Sequence, residues 1–164
     1  MKSSIFLNIL VLEAFKNRLN HAFFMKVKQV ENKLIVRIDK GEEIVESIMD
    51  VCKKYHVTLG SIMGIGATNK VTIGLYDVEK KEYHSKEFTG NFEIAPLVGN
   101  ISMMNDEPYL HIHINVCDEK HHSYGGHLNS AIVSATCECI IDGIDDTLKR
   151  SVDAKTGLNL FDIN

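Results

Sequence analysis

The chain has 164 residues, a net charge of -4, a pI near 6.0 and 45% hydrophobic residues. This length and hydrophobic content predict one globular domain with a sizeable core. The acidic balance argues against a protein that holds nucleic acid by itself, because such affinity comes mostly from Lys and Arg on phosphates.

The first 24 residues combine an apolar run, IFLNILVLEAF, with a following basic stretch. The apolar run is shorter than the about 20 residues that cross a bilayer. Lys2 before an apolar run also fits a signal peptide, but no small-residue cleavage site follows it. The pattern favours an N-terminal extension over residues 1–24 and a domain over residues 25–164, with Met25 as an alternative start.

A hairpin and a helix open the predicted domain. Alternating runs at residues 25–30 and 33–38 flank Glu31-Asn32, which is typical of a β-hairpin. Gly41 then precedes an apolar stripe at three- and four-residue steps, which predicts an amphipathic helix. The stripe consists of Ile44, Ile48, Val51, Cys52 and Tyr55.

The rest of the chain is rich in β-like runs. Ser61-Ile62-Met63 reads as a buried strand, and Gly64 and Gly66 beside it favour a bend or bulge, since no phosphate-loop Lys-Ser/Thr follows. Many strands with one or two helices predict an α+β fold of mainly antiparallel sheet. Further strands are expected over residues 70–76, 82–88, 91–104 (in one or two pieces), 109–117, 131–141 and 147–153, with loops at 77–81, 105–108 and 118–126.

The four cysteines form no CxxC pair. Cys137 and Cys139 share one face of a predicted strand, a poor geometry for a disulfide between them. We therefore expect Cys52, Cys117, Cys137 and Cys139 to be reduced, mostly buried and cytoplasmic.

The segment LHIHINV places His111 and His113 two residues apart on a predicted strand. Residues i and i+2 of a strand point to the same face about 6.6–7 Å apart, so the two imidazoles could bind one metal ion. The alternative is that both are polar residues of an exposed sheet face. The spacing alone leaves the two interpretations about equal.

A third histidine, His127, follows a double glycine that we expect to turn the backbone tightly and present the imidazole back toward the strand. Zinc is the first choice for three imidazoles, although nickel, copper and iron also accept them. Residues that could line the pocket around such a metal are Asn100, Asn115, Tyr124, Gly125 and Gly126.

The ordered motifs GEEI, SIMGIGA, LYD, LVGNIS, LHIHINV and GGHL resemble the PPC domain (plants and prokaryotes conserved domain, DUF296) over about residues 25–161. The resemblance implies an α+β fold shared with acetolactate decarboxylase, a homotrimer, and zinc on His111, His113 and His127. It is closest to the prokaryotic members in which the domain stands alone. In plants the domain follows AT-hooks in DNA-binding proteins, and no AT-hook core occurs in this chain, so DNA binding does not transfer.

Two functions of different classes remain open at this stage. One is a cytoplasmic binding or regulatory module, in which the metal site serves a small molecule or a protein partner. The other is a zinc-dependent lyase or hydrolase acting on a small carbonyl compound, with Glu93, Asp118 or Glu119 as the carboxylates to test. Direct DNA binding is disfavoured, and no membrane role is expected.

Overall fold

A computed structural model describes residues 25–163, so the predicted N-terminal extension lies outside the described residues. The described part contains eight strands and one helix, with few connecting residues between them. In chain order the elements are β1 (Lys26–Val30), β2 (Lys33–Asp39), α1 (Ile44–Tyr55), β3 (Gly60–Asp77), β4 (Glu82–Met104), β5 (Glu107–Cys117), β6 (Ser123–Gly143), β7 (Arg150–Val152) and β8 (Asn159–Phe161).

Six strands form one antiparallel sheet in the order β1-β2-β6-β3-β4-β5. The sheet closes on itself because β6 pairs with β5 over its first residues and with β3 over the rest. Strands β3 to β6 therefore form a barrel-like ring. The predicted α+β class with a mainly antiparallel sheet is confirmed.

Alternating burial along the strands separates an inner face from an outer one. On β5, Ile112, Ile114 and Val116 are buried, whereas the residues between them are exposed or half-buried. This period of two places one apolar set in the core and the polar set on the opposite face.

Helix α1 covers one side of the sheet and packs against β6 and β5. It begins after Glu43, whose carboxylate accepts hydrogen bonds from the backbone N–H of Glu46 and, across the interface, of Ala131. It ends at His56, which adopts the left-handed conformation. Its buried face, Ile44, Ser47, Ile48, Val51 and Cys52, contains four of the five residues of the predicted stripe.

The central strands are longer than the sequence indicated. Residues predicted as separate pieces run together as β3, β4 and β6, with register shifts around Gly66 and Thr68 on β3. The bulge expected at the glycine-rich segment is confirmed by the register shift between Gly64 and Gly66. A Cβ on Gly66 would also overlap the carbonyl of Thr136, so the neighbouring strand approaches closely there. Long continuous strands with bulges allow the sheet to bend into the ring.

A small hairpin of β7 and β8 follows the main sheet. A hydrogen bond joins this segment to β4, because the backbone N–H of Met103 donates to the carbonyl of Leu148. The hairpin tip reaches β3, where the Tyr76 hydroxyl donates to the carbonyl of Thr156. Strand β8 was not predicted, since three residues carry too little pattern.

Two further expectations concern cysteines and membranes. All four cysteines are free thiols, and three of them are buried, as predicted. Among residues 25–163, α1 is too short and too polar to cross a bilayer.

Candidate metal centre

Two neighbouring strands bring the three predicted histidines together. His111 and His113 lie on the outer face of β5, and His113 is the direct ladder partner of His127 on β6. One ligand atom from each imidazole lies within 4.8 Å of the others. The ring centroids are separated by 5.2 Å to 5.6 Å, and the ring planes are inclined to one another by 39° to 87°, so no pair stacks face to face. The strand geometry converges three nitrogen donors on one point.

Two of these imidazoles, His111 and His127, have lowered pKa values, which favours the neutral form. Burial lowers the pKa of His111, and the nearby His127, Arg150 and His113 lower it further. Burial and the neighbouring His113 lower the pKa of His127. Both rings are therefore neutral at pH 7, and neutral imidazole is the form that binds a metal.

The donor set fits a divalent ion with an open coordination position. Within residues 25–163, no carboxylate or thiolate joins the three imidazole nitrogens. Three neutral protein ligands leave at least one position free for water or a ligand in a tetrahedral site. A closed structural zinc site would have a fourth protein ligand.

The double glycine supports His127 in another way than predicted. Gly125 and Gly126 lie inside β6, and neither has a positive φ, so the expected tight turn is wrong. A Cβ on Gly126 would lie 2.6 Å from the carbonyl oxygen of Gly74 and 2.8 Å from Ile73 Cγ2. Gly126 is thus required for the close approach of β3 to β6 immediately before His127.

Tyr83 is a neighbour of the cluster that the sequence did not reveal. Its ring meets the edge of the His127 ring at a centroid distance of 6.2 Å, and its hydroxyl donates to Asn129 Oδ1 at 2.6 Å. The ring crosses over Gly74, where a Cβ would overlap its hydroxyl. Tyr83 lies in an exposed strand, 44 residues before His127 in the sequence. No local sequence pattern therefore predicts that the two side chains meet.

Asn100, a predicted pocket residue, lies beside the histidines. It is the ladder partner of His111, and its Oδ1 accepts a 2.6 Å hydrogen bond from Arg150 Nη2. Asn115 lies two residues beyond His113 on the same face, and its Oδ1 accepts from the Ser123 hydroxyl at 2.7 Å.

Tyr124 belongs to a different cleft. Its ladder partner is the buried Val116, so its side chain lies on the opposite face from His113. Its ring packs on Phe88 at 4.8 Å, and its hydroxyl donates to Asp118 Oδ2 at 3.3 Å. The structure therefore does not bring Tyr124 to the histidines.

The three candidate carboxylates are also separate from the histidine cluster. Asp118 is held by its own loop, where it accepts from the backbone N–H of Lys120 and His122. Glu119 follows it in that loop and lines the cleft next to Tyr124. Glu93 is the ladder partner of Cys117, four residues beyond His113, or about 13 Å along the strand.

A closed antiparallel ring with three histidines converging on its outer face defines the class of protein. The model of the Plants and Prokaryotes Conserved (PCC) domain matches residues 25–145, and the chain belongs to this family. No curated protein matches the sequence.

Solved structures share this fold over most of the chain. A protein of Bacteroides thetaiotaomicron called a "putative DNA binding protein" is 36% identical, with a TM-score of 0.82 over 84% of this chain and 96% of its own. A metal-containing protein of Archaeoglobus fulgidus is 34% identical, with a TM-score of 0.74 over 85% and 97%. A plant- and prokaryote-conserved (PPC) protein of Pyrococcus horikoshii is 28% identical, with a TM-score of 0.74 over 86% and 96%.

Proposed function

We propose that this chain forms a homotrimer that binds one divalent metal ion per chain, zinc as the first choice, on His111, His113 and His127. The metal site serves as a binding or regulatory site for a small molecule or a partner. The observation that carries the proposal is the convergence of three imidazoles with no fourth ligand from the described residues of the chain. The 34% identical metal-containing relative supports it.

Each residue around the cluster has a distinct task in this proposal. Bound zinc would supply a Lewis acid with an exchangeable position. The β5 backbone sets the spacing of His111 and His113, and the ladder pairing sets His127 opposite them. Tyr83 and Asn100 border the cluster and restrict what reaches it.

Elemental analysis of the full-length protein purified without chelators tests the metal. About one zinc per chain is expected in the wild type, and His111→Ala and His127→Ala should each lose it. His84→Ala is a matched control, because His84 is an exposed histidine on β4 outside the cluster. Wild-type protein without metal would overturn the proposal.

An exposed apolar row supports the homo-oligomer. Ile35, Ile140, Met63 and Val98 are consecutive ladder partners across four strands, and the row ends at His113. These four side chains are 43% to 60% exposed in the single chain. A contiguous apolar patch on a sheet face marks an association surface. We assign it to a second copy of this chain, and the sequence resemblance implies three copies.

Met63→Glu tests this surface, because it places a charge in the row without disturbing the core. A trimer that dissociates to monomers in size-exclusion chromatography with light scattering is the expected result. Val152→Glu is the control, since Val152 is an exposed apolar residue of β7 away from the row. A wild-type monomer, or a Met63→Glu trimer, would contradict the assignment.

The second candidate function is a zinc-dependent lyase or hydrolase acting on a small carbonyl compound. The open position favours it, since bound water or a substrate oxygen could occupy that position. The separation of Glu93, Asp118 and Glu119 from the cluster favours the binding role, because none stands where a general base is needed. Turnover of carbonyl substrates by the zinc-loaded wild type, lost in His111→Ala, would decide for the enzyme.

Direct DNA binding is not part of the proposal, although relatives are called "putative" DNA-binding proteins. The net charge of -4 gives no excess of cations for phosphates. Fluorescence anisotropy with duplex DNA should show no binding at physiological salt. Tight binding with a steep dependence on salt would contradict this exclusion.

A further inference from the structure

The guanidinium of Arg150, at the start of β7, is a buried positive charge with no carboxylate partner among residues 25–163. Arg150 is 8% exposed. The ion pairs among residues 25–163 do not include it. A buried charge is costly unless an opposite charge compensates it, so this position calls for an anion.

Neutral groups hold the guanidinium in one orientation. Its Nε donates to the Ser102 hydroxyl at 2.7 Å, its Nη1 to the Asn159 carbonyl at 2.7 Å and its Nη2 to Asn100 Oδ1 at 2.6 Å. The rings of Tyr109 and Phe161 cover it at 4.9 Å and 4.2 Å from Cζ. The side chain is fixed by these hydrogen bonds and ring contacts, while no carboxylate of the described residues neutralises its charge.

This fixed cation lies next to the histidine cluster. Asn100, which accepts from Nη2, is the ladder partner of His111. Side chains of such partners lie about 4.5–5.5 Å apart at Cβ. Three of the five guanidinium N–H groups have acceptors among residues 25–163, and the other two are available to a ligand there. Arg150 also lies beyond residues 25–145, the part that the family model matches.

We propose that the ligand of the three-histidine site carries a carboxylate, and that Arg150 is the fixed countercharge that selects it. The inference rests on the proposed function, because it names the ligand class of that same site. A small carboxylate would place one end at the open metal position and its charge beside Arg150. If Arg150 only held β7 against β4, it would need the same hydrogen bonds but no bound anion.

Lactate and its neutral amide, lactamide, distinguish the two roles. Isothermal titration of both into the zinc-loaded full-length protein gives a ratio of dissociation constants, with zinc content measured on the same samples. The metal itself also prefers lactate, so the variants decide. Arg150→Gln should reduce the lactate preference by at least about 10-fold, the value of one charge-assisted hydrogen bond.

Lys149→Gln is the matched control, because it removes one positive charge from the neighbouring, exposed position. It should keep the wild-type preference. A structural role of Arg150 predicts instead that both ligands weaken together in Arg150→Gln. An unchanged ratio in that variant, or no lactate binding by the wild type at millimolar concentration, overturns the inference.

A crystal structure of the zinc-loaded wild type with lactate tests the contact if Arg150→Gln does not fold. The carboxylate should accept a hydrogen bond from Arg150, and a carboxylate out of hydrogen-bond reach overturns the inference. If the wild type binds no zinc, the proposed function fails by itself. The lactate and lactamide comparison on the metal-free protein then decides the role of Arg150 alone.

Discussion

Gly126→Ala is expected to destabilise the protein and to disturb the histidine cluster. The added Cβ would lie 2.6 Å from the Gly74 carbonyl oxygen and 2.8 Å from Ile73 Cγ2, both on the neighbouring strand. Such overpacking costs about 1–3 kcal/mol, because backbone atoms must move. Since His127 is the next residue, a shift of β6 away from β3 also moves its imidazole.

Gly125→Ala is the matched control one position earlier. The atom nearest to its Cβ would be the Ile114 carbonyl oxygen at 3.3 Å, followed by the Asn115 amide nitrogen at 3.6 Å. Alanine also restricts the unfolded chain more than glycine does, which stabilises the folded state by about 0.4–1 kcal/mol. This gain offsets the mild contact. We therefore expect a change within about 0.5 kcal/mol for this variant.

Urea unfolding of both variants in the metal-free state measures the difference, and zinc affinity by competition with a chelator measures the effect on the site. In thermal unfolding, each kcal/mol corresponds to roughly 2–4 °C for a domain of this size. Equal stability of Gly125→Ala and Gly126→Ala would refute this prediction. The expected difference depends on the close approach of β3 to Gly126, which Gly125 does not share.

Three further predictions follow from the described contacts. The metal-free protein should lose stability as pH falls from 7 to 5, because His111 and His127 have lowered pKa values and bind protons more readily when unfolded; urea unfolding at each pH measures this. Glu43→Ala should cost about 1–2 kcal/mol, since it removes the acceptor for two backbone N–H groups, one of them from Ala131. His121→Gly should stabilise the protein by about 0.5–1 kcal/mol, because His121 has a φ of 63° in the β5–β6 loop.

Each of these three has a contrary result. A flat pH profile of the metal-free protein would show that the imidazoles are as easily protonated in the folded chain as in the unfolded one. An unchanged urea midpoint in Glu43→Ala would mean that water replaces the carboxylate. A lower midpoint in His121→Gly would mean that the histidine side chain stabilises the loop.

The sequence predicted the parts of the fold that local periodicity controls. The period of two around His111 and His113 gave the strand and its polar face, and the apolar stripe gave the helix. The lengths of β3, β4 and β6 were underestimated, because glycines and polar residues at bulges look like strand ends.

The rest of the candidate site depends on long-range pairing. Arg150 is 50 residues from Asn100, and Tyr83 is 46 residues from Asn129, so no local pattern links either pair. The double glycine was read as a turn because glycine permits one, whereas the structure uses it for a close strand contact. Tyr124 faces the core side because the alternation of inner and outer residues continues through β6. The sequence predicts a loop over residues 118–126, so it gives no face for Tyr124.

The coordination of the bound metal tests the central claim most directly. X-ray absorption spectroscopy of the zinc-loaded wild type should show three imidazole nitrogens at about 2.0–2.1 Å and a further light-atom ligand. His113→Ala should lose one imidazole or the metal itself. Sulfur at about 2.3 Å would contradict the account, because it would place the metal on the buried thiols of Cys137 and Cys139 instead of the histidines.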